Sequence, residues 1–161
     1  MIAQAQLRNA HPRIAYSVCS LQDFAYPANA YDLVIANLVL HYIADLEEIF
    51  QRIAQTLRPG GVFLMNIEHP TFTAGVHQQF SPDGTWPVDN YFSPGERVTT
   101  FLGYAVTKQH HTLTQIVMGL IHAGFRIDAL EEAMPPVAWR EQMPEEMRRP
   151  MMLLIKASKP H

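Results

Sequence analysis

Apolar and polar positions divide the chain into short segments with two different periods. Tyr31-Asp32-Leu33-Val34-Ile35-Ala36-Asn37 is a nearly continuous apolar run, the habit of a strand buried on both faces. Leu46, Ile49, Phe50, Ile53 and Leu57 then recur at helical spacing and share one face. Asp45 precedes them as an N-cap, with Glu48 three positions on, as in a capping box. Arg58-Pro59-Gly60-Gly61 predicts a stop and a turn into Val62–Ile67, a second buried strand. Residues 31–67 therefore predict a strand–helix–strand crossover. Farther on, Thr112 and Gln115 repeat the capping spacing, and Leu113, Ile116, Val117, Leu120 and Ile121 line a second helix that Gly124 closes. Phe125–Leu130 alternates as a strand, and Met151–Ala157 reads as a last buried strand. Upstream, residues 1–10 read as helix, Pro12 ends them, and residues 13–18 alternate as a short strand.

Residues 68–97 break this pattern. They hold Pro70, Pro82, Pro87 and Pro94 together with Phe72, Phe80, Trp86, Tyr91 and Phe92. A loop this long in a small domain is usually functional or disordered, and the aromatic content argues for order. Val98–Leu102 and Tyr104–Thr107 predict a hairpin around Gly103, and residues 131–150, rich in Glu and Pro, predict an irregular exposed connection.

Composition narrows the function classes. The 161 residues are one domain's worth, 48% hydrophobic and 17% charged, which is globular composition. A net charge of −3 leaves no basic footprint for nucleic acid. A single cysteine excludes an intrachain disulfide framework, and Cys19 reads as a small buried hydrophobe. No apolar run approaches the roughly 20 residues needed to cross a bilayer. The N-terminal residues lack the regions of a signal peptide, so a cytoplasmic domain is expected.

Three segments in order carry a resemblance. Leu21-Gln22-Asp23-Phe24 followed by Tyr31–Asn37, then Asn37–Leu46, then Leu57-Arg58-Pro59-Gly60-Gly61-Val62-Phe63 resemble the rear two-thirds of a class I S-adenosylmethionine-dependent methyltransferase of the small-molecule type. The resemblance implies an α/β, Rossmann-like fold, with a mostly parallel sheet and helices on both faces. It also implies S-adenosylmethionine as cofactor, a small-molecule methyl acceptor, and no nucleic-acid or membrane partner. The family's glycine-rich turn has no counterpart, because no glycine precedes Gly60. That turn lets the backbone approach the cofactor closely, as only glycine permits. The expectation is therefore an incomplete, N-terminally truncated fold with its first two strands missing. Residues 31–37 would then form an exposed apolar edge able to pair with a second copy. The alternative function is a non-catalytic fragment that oligomerises or binds a partner.

By the same resemblance Asp23 accepts a hydrogen bond from the adenine amino group, Phe24 supplies a neighbouring backbone donor to the ring, and Asn37 and Leu38 border the methionine part. Local turn bonding for Asp23 and core packing for Leu38 are the competing readings. His41 could face the cofactor or serve structurally. Glu68 and His69 fall where substrate contacts are expected, beyond a strand's carboxyl end. His69 could act as general base near neutral pH. Trp86, Tyr91 and Phe92 could wall a substrate pocket or form the core of a flap, so that residues 68–107 cap the site. Adjacent His110 and His111 point to opposite faces of a strand, and no metal site is expected.

Overall fold

Both helix caps read from the sequence form in the computed structural model, which describes residues 2–75 and 77–161. The helices are α1 (Ile2–Arg8), α2 (Leu46–Thr56), α3 (Pro70–Thr73) and α4 (Leu113–His122). The strands are β1 (Tyr31–Asn37), β2 (Leu57–Glu68), β3 (Gly95–Phe101), β4 (Tyr104–His110), β5 (Arg126–Ala133) and β6 (Met152–Ser158). Asp45 Oδ1 accepts from the Glu48 N–H at 2.9 Å ahead of α2. The Glu48 carboxylate turns to Arg52 instead of completing the box. Thr112 completes both halves of its box ahead of α4. Gly124, at φ +86°, ends that helix in the left-handed conformation.

The main sheet has the order β1-β2-β6-β5. β1 runs parallel to β2, with Ile35 opposite Leu64 and Asn37 opposite Asn66. β6 is antiparallel to both β2 and β5. Alternate residues of these strands, Phe63, Met65, Leu153 and Ile155, meet Phe50, Ile53, Ile116 and Leu120 of α2 and α4 in one core. Gly119 allows that closeness, since an added Cβ would stand 3.2 Å from the Phe50 ring. β3 and β4 form a separate two-stranded hairpin. Its two-residue turn, Leu102-Gly103, has φ of +51° and +82°, as the twist of a tight hairpin requires.

Three expectations are corrected. Residues 13–18 form no strand; they lie without a ladder partner, and alternation alone cannot make a strand where no neighbour receives its hydrogen bonds. The mostly parallel sheet does form: β1, β2 and β5 run in one direction, and β6 enters between β2 and β5 in the opposite sense. Helices do not cover both faces. α2 and α4 share one face, α1 buries nothing, and Ile35 remains 63% exposed on the other. Cys19 is exposed, because its segment packs on no element. The turn expected at Arg58–Gly61 also stays in the sheet. Tyr31 pairs with Leu57 and Leu33 with Val62, and the residues between bulge outward.

Candidate functional site

The carboxyl ends of β1 and β2 lie side by side because the strands are parallel, and the chain leaves each through an unusual bend. After Asn37, Leu38 takes φ +54°, a left-handed conformation that costs a leucine about 1–2 kcal/mol. The Leu38 N–H donates to the Asn66 carbonyl at 2.9 Å, which turns the backbone across the mouth of β2. Asn66 Nδ2 donates to Asn37 Oδ1 at 3.0 Å, and Asn66 Oδ1 is buried without a partner among the described residues. Leu40–Tyr42 then forms a 3-10 turn that buries His41. His41 Nδ1 faces the Glu68 N–H at 3.4 Å, and its ring leans on Tyr42. Burial pushes its pKa below the usual histidine value, against the pull of Glu68.

Glu68 ends β2 in the interior. Its Oε1 receives Lys108 Nζ of the hairpin at 2.6 Å, and its Oε2 is buried with no donor among the described residues. His69 follows as the cap of α3, its Nδ1 accepting from the Thr71 N–H at 3.1 Å and standing 2.8 Å from Thr71 Oγ1. This places the ring proton on Nε2, which lies 2.8 Å from Glu132 Oε1. That contact is at ion-pair distance but lacks hydrogen-bond alignment. Burial lowers the His69 pKa, and Glu132 offsets part of the effect. A buried neutral imidazole results.

The aromatic loop is ordered around these groups. Trp86 Nε1 donates to the Thr71 carbonyl at 3.0 Å, and its ring stacks on Phe72 at 5.3 Å. Tyr91 is pinned rather than free: its hydroxyl accepts from the Leu113 N–H, and its carbonyl lies 2.9 Å from His110 Nε2. Phe92 instead stands exposed. His110 Nδ1 meets Thr73 Oγ1, and His111 Nε2 meets the Ile43 carbonyl, so both histidines tie loops to the body.

Asp23 and Phe24 lie apart from this group. Asp23 Oδ2 accepts from the Ser20 hydroxyl at 2.6 Å, and the Asp23 N–H donates back to Ser20 Oγ, which is the local turn bonding. Phe24 meets Tyr26 edge-on at 5.0 Å. It lines a hollow of about 320 Å³ along the free edge of β1, with Leu33, Ala36 and Val39. That hollow reaches the residues flanking Asn37 and Leu38.

The structure thus joins Asn37, Leu38, His41, Glu68 and His69 at the strand ends and attaches Trp86 through Thr71. Sequence reasoning missed Asn66, Thr71, Lys108 and Glu132. Lys108 carried a faint signal, an inward position in an alternating strand, whereas Glu132 sits in a run of exposed acids.

Comparison with known proteins gives one family. Residues 1–65 match the model of a methyltransferase domain. A solved structure from Listeria monocytogenes, assigned to the S-adenosylmethionine-dependent methyltransferases, is 36% identical. It superposes with a TM-score of 0.93, covering 100% of this chain and 76% of that one. The structure of an S-adenosylmethionine-dependent methyltransferase from Mesorhizobium loti is 34% identical, with a TM-score of 0.84 over 97% of this chain and 75% of the other. The human mitochondrial ubiquinone biosynthesis O-methyltransferase is 30% identical over 122 residues, 70% of this chain. The chain spans 31% of that enzyme's length and 56% of another curated relative's, a protein of Haemophilus influenzae.

Proposed function

Because the chain belongs to the S-adenosylmethionine-dependent methyltransferases, we propose that it serves methyl transfer from S-adenosylmethionine to a small-molecule acceptor. The observation that carries this reading is the side-by-side placement of the carboxyl ends of β1 and β2, bordered by the left-handed Leu38. In open α/β sheets that is where ligands bind.

The described residues fit one side of the cofactor. The hollow along β1 offers the flat, apolar bed that an adenine ring needs, with Phe24 and Leu33 on its walls. Asp23 Oδ2 is taken by Ser20, so Oδ1 is the oxygen proposed to accept from the amino group. Asn37 and Leu38 border the methionine part, and His41 holds the wall behind them. The close-approach turn of the family is not supplied by these residues, since no glycine precedes Gly60. When bound, the cofactor supplies a methyl group activated on a sulfonium.

The chain's own contribution is alignment and proton handling. Holding two reactants in near-attack geometry supplies much of such a reaction's rate. Glu68 and the loop bearing Trp86 and Tyr91 hold the acceptor, with residues 68–107 as the cap. His69 takes a proton from the acceptor through the Thr71 hydroxyl, which stands 2.8 Å from Nδ1. Glu132 Oε1, 2.8 Å from Nε2, then offsets the charge of the imidazolium.

Calorimetric titration with S-adenosylmethionine tests the reading. Saturable heat that weakens at least tenfold in Phe24→Ala supports it. Absence of binding, with no methylated product from a panel of phenolic and amine acceptors, overturns it.

A second reading adds to the first. The outer edge of β1 has no strand beside it, and Leu33 is 48% exposed there. Unpaired apolar edges recruit other strands. We infer that a second copy pairs at this edge.

A further inference from the structure

The mechanism leaves one half-buried cation unused. Arg149 lies in the connection before β6, and its guanidinium carbon sits 3.9 Å from the centre of the Trp86 ring. Phe72 and Phe80 flank it, at 4.9 Å and 5.4 Å. Three rings therefore hold one guanidinium. Arg148 stacks on Phe80 and donates to the Gly84 carbonyl, which fixes the same connection against the aromatic loop.

Stacking satisfies the face of a guanidinium but not its edge, where the N–H groups point. Arg149 Nε and Nη1 are buried and, among the described residues, have no hydrogen-bond partner. Glu145 and Glu146 act on Arg149 through space, yet among the described residues neither forms an ion pair with it. Leaving a charged donor edge unmet in the interior is costly, and such groups normally have an acceptor. The place for one is at hand. A hollow of about 280 Å³ is lined by Arg148, Arg149, Glu146 and Glu132, and Glu132 is the carboxylate that meets His69. Arg149 thus belongs to the wall formed by Trp86, beside the proposed proton acceptor.

We propose that Arg149 binds an anionic group of the methyl acceptor, a carboxylate or a phosphate, through its unmet Nε and Nη1 donors. A charge-assisted N–H donor serves either oxyanion. Assignment of the anion to the acceptor rests on the methyl-transfer reading; anion binding at Arg149 does not. The ring cage lowers the entropy lost on binding, because the guanidinium is already oriented.

The test uses Trp86 as reporter in a Trp139→Phe background, Trp139 being the second of two tryptophans. Inorganic phosphate and benzoate are titrated separately, without cofactor. A saturable change in emission with either probe is expected, and its identity tells phosphate from carboxylate. Arg149→Gln should weaken that response at least tenfold, and Arg149→Lys, which keeps charge but loses the planar fork, by a smaller factor. Arg148→Gln should stay within about twofold. Should Arg149→Gln not fold, phenylglyoxal labelling of the wild type with peptide mapping replaces it, and the bound probe should protect Arg149 selectively. No saturable response to either probe, an unchanged response in Arg149→Gln, or equal labelling with and without probe overturns the proposal. Because cofactor is absent throughout, failure here leaves the methyl-transfer reading untouched.

Discussion

Glu68 of β2 and Lys108 of β4 meet at 2.6 Å, with both side chains almost wholly removed from water. Forty residues separate them, and their pairing fastens the hairpin to the strand ends. Removing one partner of a buried pair strands the other charge, at a cost of about 3–5 kcal/mol. Lys108→Ala should lose that much stability in urea unfolding. The double change Glu68→Gln with Lys108→Met should recover most of it, since a neutral pair leaves no isolated charge.

Acid should weaken the fold through its histidines. Burial lowers the pKa of His41, His69, His110 and His111. Each therefore binds its proton more weakly folded than unfolded. Below about pH 6.5 the unfolded chain takes up protons first, so stability is full above that value and declines as pH falls. Urea midpoints should hold level from about pH 7 to 8 and drop toward pH 5. A midpoint that rises on acidification would contradict the assignment of these rings as buried and neutral.

Leu38 pairs strain with position. Leu38→Asn keeps the bend with a residue that tolerates positive φ, and should raise stability by about 0.5–1 kcal/mol in thermal unfolding. Cofactor affinity should fall in the same variant if the leucine side chain borders the ligand. Unchanged stability would mean that the bend carries no strain.

Self-association should be visible in light scattering. Ile35→Lys places a charge on the uncovered face at β1, a device that natural edges use against pairing. The wild type should show a larger mass than the variant at equal micromolar concentration. Identical masses would remove the second copy from that edge.

At the seam of the two long helices, Gly119→Val should destabilise by about 1–3 kcal/mol, because Phe50 is fully buried and cannot retreat. Circular dichroism melting measures it.

The sequence was most readable where the determining physics is local. Asp45, Thr112 and Gly124 mark helix ends through bonds within four residues, and each did so in the structure. Gly103 marked the hairpin turn for the same reason. Residues 13–18 misled because alternation describes a strand's faces and says nothing of its neighbours. Among the proposed site residues, Asn37, Leu38, His41, Glu68 and His69 could be grouped from strand order alone. The partners that define their chemistry could not: Lys108 reaches Glu68, and Glu132 reaches His69, across long stretches of chain. Arg149 was hidden among the exposed charges of residues 131–150. Only packing against Trp86 sets it apart.

The hairpin divides into a fastened root and a loose tip. Lys108 and His110 are anchored near one end, while Leu102 and Tyr104 stand in water at the other. Substitutions, or even extra residues, can accumulate at the tip without disturbing the acid at the strand end. A lineage could therefore explore new acceptors by remodelling that projection while its anchorage stays constant.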